Sequence, residues 1–317
     1  MLMRIFFVKK LKNNLEMKLP FRTALLASVL CVQLNAQDGM DDFFEEESTE
    51  KTPVIATFKS THLINAPTNE TVKKGTLDFR ITHRFGDVAT NGAGHTLLGL
   101  DNASNIRFSF DFGITDKLMI GVGRSKTNEH IDGNLKYRFI DQKKGGFPFN
   151  IALYANVALT PRRAISETDL PKFTSRLSYA YQGIITSKLN WRASIGILPT
   201  FVHRNFVGNV PNPNNGSFDE NSLFAIGAMG RFKITQSIAL IGEYFYTFSD
   251  YRKDNTAVPY YMPLGIGVEI ETGGHVFQMN YTNTSGIIAN DYVPNSASNW
   301  LDGEFKIGFT ISRVFNL

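Results

Sequence analysis

The sequence predicts an all-β protein, a single closed antiparallel up-and-down transmembrane β-barrel of about 12 strands. Three observations carry this expectation. From Gly75 onward, stretches of about ten residues alternate apolar and polar side chains, and each ends at a turn signal. The links between these stretches alternate in length. After the N-terminal segment, no run reaches 18 uninterrupted apolar residues, so a spanning helix is excluded. Closed barrels are the other backbone that a bilayer tolerates.

The chain begins with an export segment. Met17-Lys18-Leu19-Pro20-Phe21-Arg22 is a short basic region, and Ala24 to Val32 is an apolar core too short to span. Leu34-Asn35-Ala36 before Gln37 fits a signal-peptidase site. Residues 1–36 are therefore read as a signal peptide, and Met17 alone opens a complete one. Cys31 is the only cysteine and falls inside it. Leu30 before it does not suit a lipoprotein site. The mature chain then has no disulfide, thiolate zinc site or thiol nucleophile.

Charge follows the same division. Residues 1–36 carry six bases and one acid, so removing them turns the formal net charge of +4 into −1. A nucleic-acid partner is not expected. Residues 37–50 hold seven acids and no base. Segment 37–74 is read as an acidic periplasmic extension, either a solvated partner-docking tail or a plug, with partial order over Val54–Ile64. The barrel is assigned to 75–317.

The strands follow in order. The first sets Leu77, Phe79, Ile81 and Phe85 against Asp78, Arg80, Thr82 and Arg84. The second sets Ile106 to Ile114 against Arg107, Ser109, Asp111 and Gly113. The third runs from Leu118 to Ser125. The fourth sets Leu135, Tyr137 and Phe139 against Asn134, Lys136 and Arg138. The fifth covers Phe149–Leu159 and the sixth Phe173–Gln182. The seventh is Asn190–Val202, the eighth Leu223–Ile234, the ninth Ile238–Phe248. The tenth sets Met262 to Ile270 against Gly265, Gly267, Glu269 and Glu271. The eleventh is His275–Thr284, and the last sets Phe305 to Ile311 against Lys306 to Ser312.

Short links such as Thr115–Lys117 and Thr235–Ser237 alternate with long ones such as Asp87–Ala103 and His203–Asn221; only Lys126–Glu129 is short out of turn. Short periplasmic turns and long outer loops are the habit of outer-membrane barrels. Aromatic residues gather near strand ends, as interfacial girdles require. Phe315 lies two residues from the end of a C-terminal strand, which resembles the signal read by the barrel-insertion machinery. The expected location is the Gram-negative outer membrane, in contact with its lipid, with both termini periplasmic.

Three pieces, Gly75–Asp87, Asp111–Ser125 and Asp132–Phe139, resemble a Bacteroidota family of outer-membrane β-barrels of unknown function. The resemblance covers most of 54–317. It implies the barrel and the location, and supplies no catalytic or binding residues.

Chemistry is sparse. The six histidines form no close metal pair, no cofactor is expected, and no phosphate loop opens a helix. Gly121-Val-Gly123 lies mid-strand. His83 on the apolar face suits an interfacial position better than a lipid-facing hydrolase, because no serine motif accompanies it. An enzyme is not expected. By the alternation, Arg80, Arg84, Arg107, Lys136, Arg138, Arg176, Arg192, Arg231 and Lys233 point into the lumen, with Asp78, Asp111, Glu243, Glu269 and Glu271. Such a set either neutralises itself or forms an anion-favouring constriction. A narrow channel for small polar or anionic solutes is the first reading. A non-conducting barrel that docks a periplasmic or surface partner is the second, and an outer-membrane lipid hydrolase the third.

Overall fold

In the computed structural model, residues 52–88, 94–165 and 169–317 are described. The expected signal segment and the acidic run 37–50 lie outside them. Twelve strands close into one antiparallel barrel, each bonded to its neighbours in sequence and the last to the first. They are β3 (Thr76–Asp87), β4 (Ala103–Gly113), β5 (Leu118–Ser125), β6 (Ile131–Ile140), β7 (Asn150–Leu159) and β8 (Leu177–Lys188). The circuit continues through β9 (Ala193–Arg204), β10 (Ser222–Lys233), β11 (Ile238–Phe248), β12 (Leu264–Thr272), β13 (His275–Thr282) and β14 (Lys306–Asn316). Closure runs from Lys306 opposite Asp87 to Asn316 opposite Thr76.

Alternation decides which face each residue takes. Along β4, Phe108 and Phe110 are exposed while Arg107, Ser109 and Asp111 are buried. β10 repeats the rule with Phe224 and Ile226 outside and Ala225 and Met229 inside. The apolar skin therefore faces outward around the whole circuit. Aromatic pairs lie near both ends: Tyr137–Phe139 (4.5 Å) by the short turns, and Phe201–Phe224 (5.0 Å) by the long loops.

The inward face divides into two regions. From β12 through β14 and on through β3 to β6, it is almost wholly polar or charged, with Met119 the apolar exception among its buried residues. On β7 to β11 it also carries Ala152, Tyr154, Ala180, Ile184, Leu198, Val202, Ala225, Met229, Ile241 and Phe245, which form one apolar cluster.

Two insertions fill the bore. From the short-turn end, the segment before β3 enters as a small hairpin, β1 (His62–Leu63) paired with β2 (Ala66–Pro67). Phe58, Leu63, Ile64 and Ala66 join the apolar cluster. From the long-loop end, the β13–β14 connection folds inward around α1 (Ala289–Tyr292), whose Ala289 and Tyr292 join the same cluster with Val293. Of the weakly alternating stretch Val54–Ile64, Phe58, Leu63 and Ile64 lie in this cluster, while Ile55 is exposed.

Candidate functional site

Inward glycines let long side chains lie flat against the wall. A Cβ on Gly123 would collide with the Arg107 guanidinium, one on Gly121 with the Asp111 carboxylate, and one on Gly227 with the Phe245 ring. The Gly121-Val-Gly123 pattern, which the sequence leaves without a role, makes this room. The space gained along the axis is where the plug sits.

The sequence-derived lumen residues fall into three overlapping groups. Seven pair along the wall, five of them (Arg231, Glu269, Glu271, Arg80 and Asp78) with one another. Arg107 forms a bidentate pair with Asp132, one bond being 2.8 Å. Arg231 reaches Glu269 at 2.7 Å and also pairs with Glu271. Arg80 contacts Asp78 at 3.2 Å. Asp111 accepts from Asn134 at 3.1 Å. The arginine–carboxylate contacts neutralise charge along the wall.

A second group faces the plug. Lys136, fully buried, donates to the carbonyls of Thr61 (2.7 Å) and Glu70 (3.0 Å). Arg80 donates to Thr61 Oγ1 at 2.7 Å. Arg84 donates to the Asn65 side-chain oxygen at 2.8 Å. Glu243 accepts from the backbone N–H groups of Asn65 (3.0 Å) and Ala66 (2.9 Å). These N–H groups sit at the hairpin tip, where Ile64 has a left-handed φ of 51°, an uncommon conformation for a β-branched residue.

The third group corrects the expectation. Arg192 is exposed in the β8–β9 turn, stacked on Trp191 at 4.4 Å. The strand starts three residues later than the alternation suggested, so parity does not apply to it. Arg176 lies in a 3₁₀ turn before β8 and donates to the carbonyls of Thr160 and Arg162. Arg138, Lys233 and Glu271 are half-exposed at the short-turn rim, with Arg138 on Asp141 (2.8 Å) and Glu271 on Lys59 (3.1 Å).

Several residues of the bore were not anticipated. Asp132 was missed because the fourth strand was begun at Asn134; two more residues of alternation reach it. Gln278 donates to the His62 carbonyl at 3.2 Å and to Glu269 at 3.1 Å. The half-buried His62 ring stands edge-on to Tyr154 at 5.9 Å. Burial first, then Arg80, Lys136 and Arg107, hold its pKa well below the usual histidine value.

The loop-side insertion is held differently. The Tyr292 ring packs at a tilt against Phe245, centroids 4.9 Å apart, and Asn290 donates to Ser178 at 3.0 Å. Arg252 and Tyr260 donate to the carbonyls of Pro294 (3.0 Å) and Val293 (2.7 Å). Asp291 contacts His130 Nε2 at 2.9 Å. Burial works to lower the His130 pKa, but the hydrogen bond and charge of Asp291, with Asp132 behind, outweigh it and raise the value.

Between the plug and the loop lies a cavity of about 20 Å³, bordered by Arg80, Arg107, Asp111 and Tyr154 from the wall. That is room for about one water. His83 faces outward, its ring parallel to Phe309 at 5.3 Å and close to Phe85. No serine hydroxyl bonds it among the described residues.

No curated protein sequence matches the chain. Among solved structures, the NanC porin is 9% identical with a TM-score of 0.45, covering 76% of this chain and 99% of its own. An outer membrane channel from Pseudomonas putida F1 is 14% identical with a TM-score of 0.45, covering 78% and 98%. The KdgM porin is 8% identical with a TM-score of 0.43, covering 76% and 99%. The family model of the membrane bound beta barrel domain matches residues 58–315, a span that takes in the plug from Phe58 as well as all twelve wall strands. The chain belongs to this family, the membrane bound beta barrel domain (DUF5777).

Proposed function

We propose that the protein is a gated outer-membrane passage for small polar solutes, closed at rest by its own N-terminal plug. The observation that carries this reading is how charged side chains of the wall hold the plug. Lys136, Arg84 and Glu243 bond uncharged amide groups of the plug. Water or a polar solute can replace such partners when the plug leaves. A barrel kept only for its stability has little use for buried ions, since well-packed apolar residues do as well or better. An always-open pore is set aside, because plug and loop fill the described bore. The loop-side insertion is then a second barrier in series with the plug.

Planar-bilayer recording tests the proposal. The intact chain is expected to be silent or nearly so. Deleting residues 57–72 alone is expected to leave at most small steps, because the loop barrier remains, and shortening the loop over 286–297 as well is expected to open large discrete ones. A doubly shortened barrel that folds, as judged by its heat-modifiable gel mobility, yet passes no ions would reject the passage. That outcome would favour the second reading, a non-conducting barrel, for which the apolar cluster joining plug, loop and β7–β11 speaks. An anion preference is a finer expectation, read from the reversal potential of the opened variant.

A further inference from the structure

The plug lies in the bore as a bound peptide would. Along the plug backbone, polar side chains of the wall read peptide bonds. Lys136 takes two carbonyls, Thr61 at 2.7 Å and Glu70 at 3.0 Å. Gln278 and Arg80 converge on the His62 carbonyl at 3.2 and 3.5 Å. Glu243 takes two successive N–H groups, Asn65 and Ala66. Arg84 takes a side-chain amide oxygen. On the other side, Phe58, Leu63 and Ile64 sit in the cluster with Ile184, Leu198, Met229 and Phe245.

Cations on carbonyls, a carboxylate on adjacent N–H groups and an apolar pocket for side chains together match one ligand class. Peptide recognition rests on main-chain hydrogen bonds for affinity and pockets for specificity. An inorganic anion has no donor for Glu243. A sugar has no large apolar side chain for the Phe245 side.

We propose that the vacated bore binds short oligopeptides with apolar side chains, and that the plug holds this site in the closed state. The proposal rests on the gated-passage reading for its access to the site, and names the solute class of that passage.

The test uses the barrel lacking residues 57–72, in detergent, and a fluorescently labelled synthetic peptide of sequence 57–72. Anisotropy is expected to report saturable binding. Trileucine is expected to displace the probe at concentrations at least tenfold below those triglycine needs, while raffinose and inorganic phosphate leave it bound. Lys136→Met and Glu243→Gln are each expected to weaken probe binding about tenfold or more, the effect of losing hydrogen bonds to a buried charge. Raffinose or phosphate displacing as well as trileucine, or both variants binding like the parent, overturns the proposal. Conductance is read separately, on the barrel that lacks residues 57–72 and is also shortened over 286–297. Binding without current in that barrel removes the passage and keeps the site; current without binding removes the site and keeps the passage. Should the deletion fail to fold, the intact chain with Ser60→Cys decides. Trileucine, and not raffinose, must then speed labelling of that buried thiol in the mature chain; equal rates overturn the proposal.

Discussion

The two regions of the inner wall show how one strand pattern supports two kinds of adhesion. Outside, β3 to β14 present the same apolar skin. Inside, β12–β14 with β3–β6 hold the plug through hydrogen bonds from Lys136, Arg80, Arg84 and Gln278, whereas β7–β11 add an apolar cluster against Phe58, Leu63 and Ile64 together with the Glu243 carboxylate of β11 at the hairpin tip. A hydrogen bond to a charged group is worth about 1.5–3 kcal/mol, and full burial of a large apolar side chain is worth about as much. Neither region dominates. The plug is fixed because both act, and weakening either side is enough to loosen it.

The largest effects should come from the centre of each region. Arg107→Met leaves Asp132 buried without its cation; urea unfolding from detergent is expected to show a loss of roughly 3–5 kcal/mol. Phe245→Ala in the apolar region is expected to cost a similar 3–5 kcal/mol by cavity formation. If Arg107→Met costs under about 1 kcal/mol, water already screens the polar region, and the contrast between the two regions is one of hydration. Lys136→Met acts next. It should loosen the plug by about 1.5–3 kcal/mol, seen as faster thiol labelling of a Ser60→Cys background with little change in barrel unfolding. An equal loss in both measurements would mean that plug and wall unfold together. Gly123→Ala is expected to cost roughly 1–3 kcal/mol by displacing the Arg107 guanidinium from the wall.

The smallest effect concerns pH and belongs to the loop-side closure. His130 has a raised pKa in the folded protein because Asp291 bonds and charges it, with Asp132 behind. Its contribution is full below the ordinary histidine value and is lost as pH rises through the elevated one. Amide protection over Ile287–Val293, taken relative to the intrinsic exchange rate at each pH, should therefore fall severalfold on going from acid to mildly alkaline pH. His130→Gln should abolish that fall. Protection that stays independent of pH in the parent would remove His130 as the latch.

The wall was legible because alternation is a local property. Strand number, circuit order and the buried faces of Arg80, Arg107, Lys136 and Glu269 all follow from period-two reading. Errors arose where parity was carried past a strand end, as at Arg192 and Arg176, or stopped short of one, as at Asp132. The plug was barely legible. Its hairpin has two residues per strand, and its order derives from Lys136, Glu243 and Phe245, which lie far away in sequence. The inward fold of the β13–β14 loop was not legible at all. Ala289–Tyr292 makes a single helical turn, and partners far away in sequence give it a place: the Phe245 ring, Gln182, Ser178 and His130.

The backbone at Ile64 bears on how such a stopper is released. A branched side chain held at a φ of 51° carries on the order of 1–3 kcal/mol of strain. The surrounding bonds from Glu243 and Arg84 hold that conformation in place, and a free, hydrated segment has no reason to keep it. Withdrawal therefore relaxes the tip, much as a bent pin straightens once pulled from its hasp, and the segment leaves at a lower energetic cost than its contacts alone suggest.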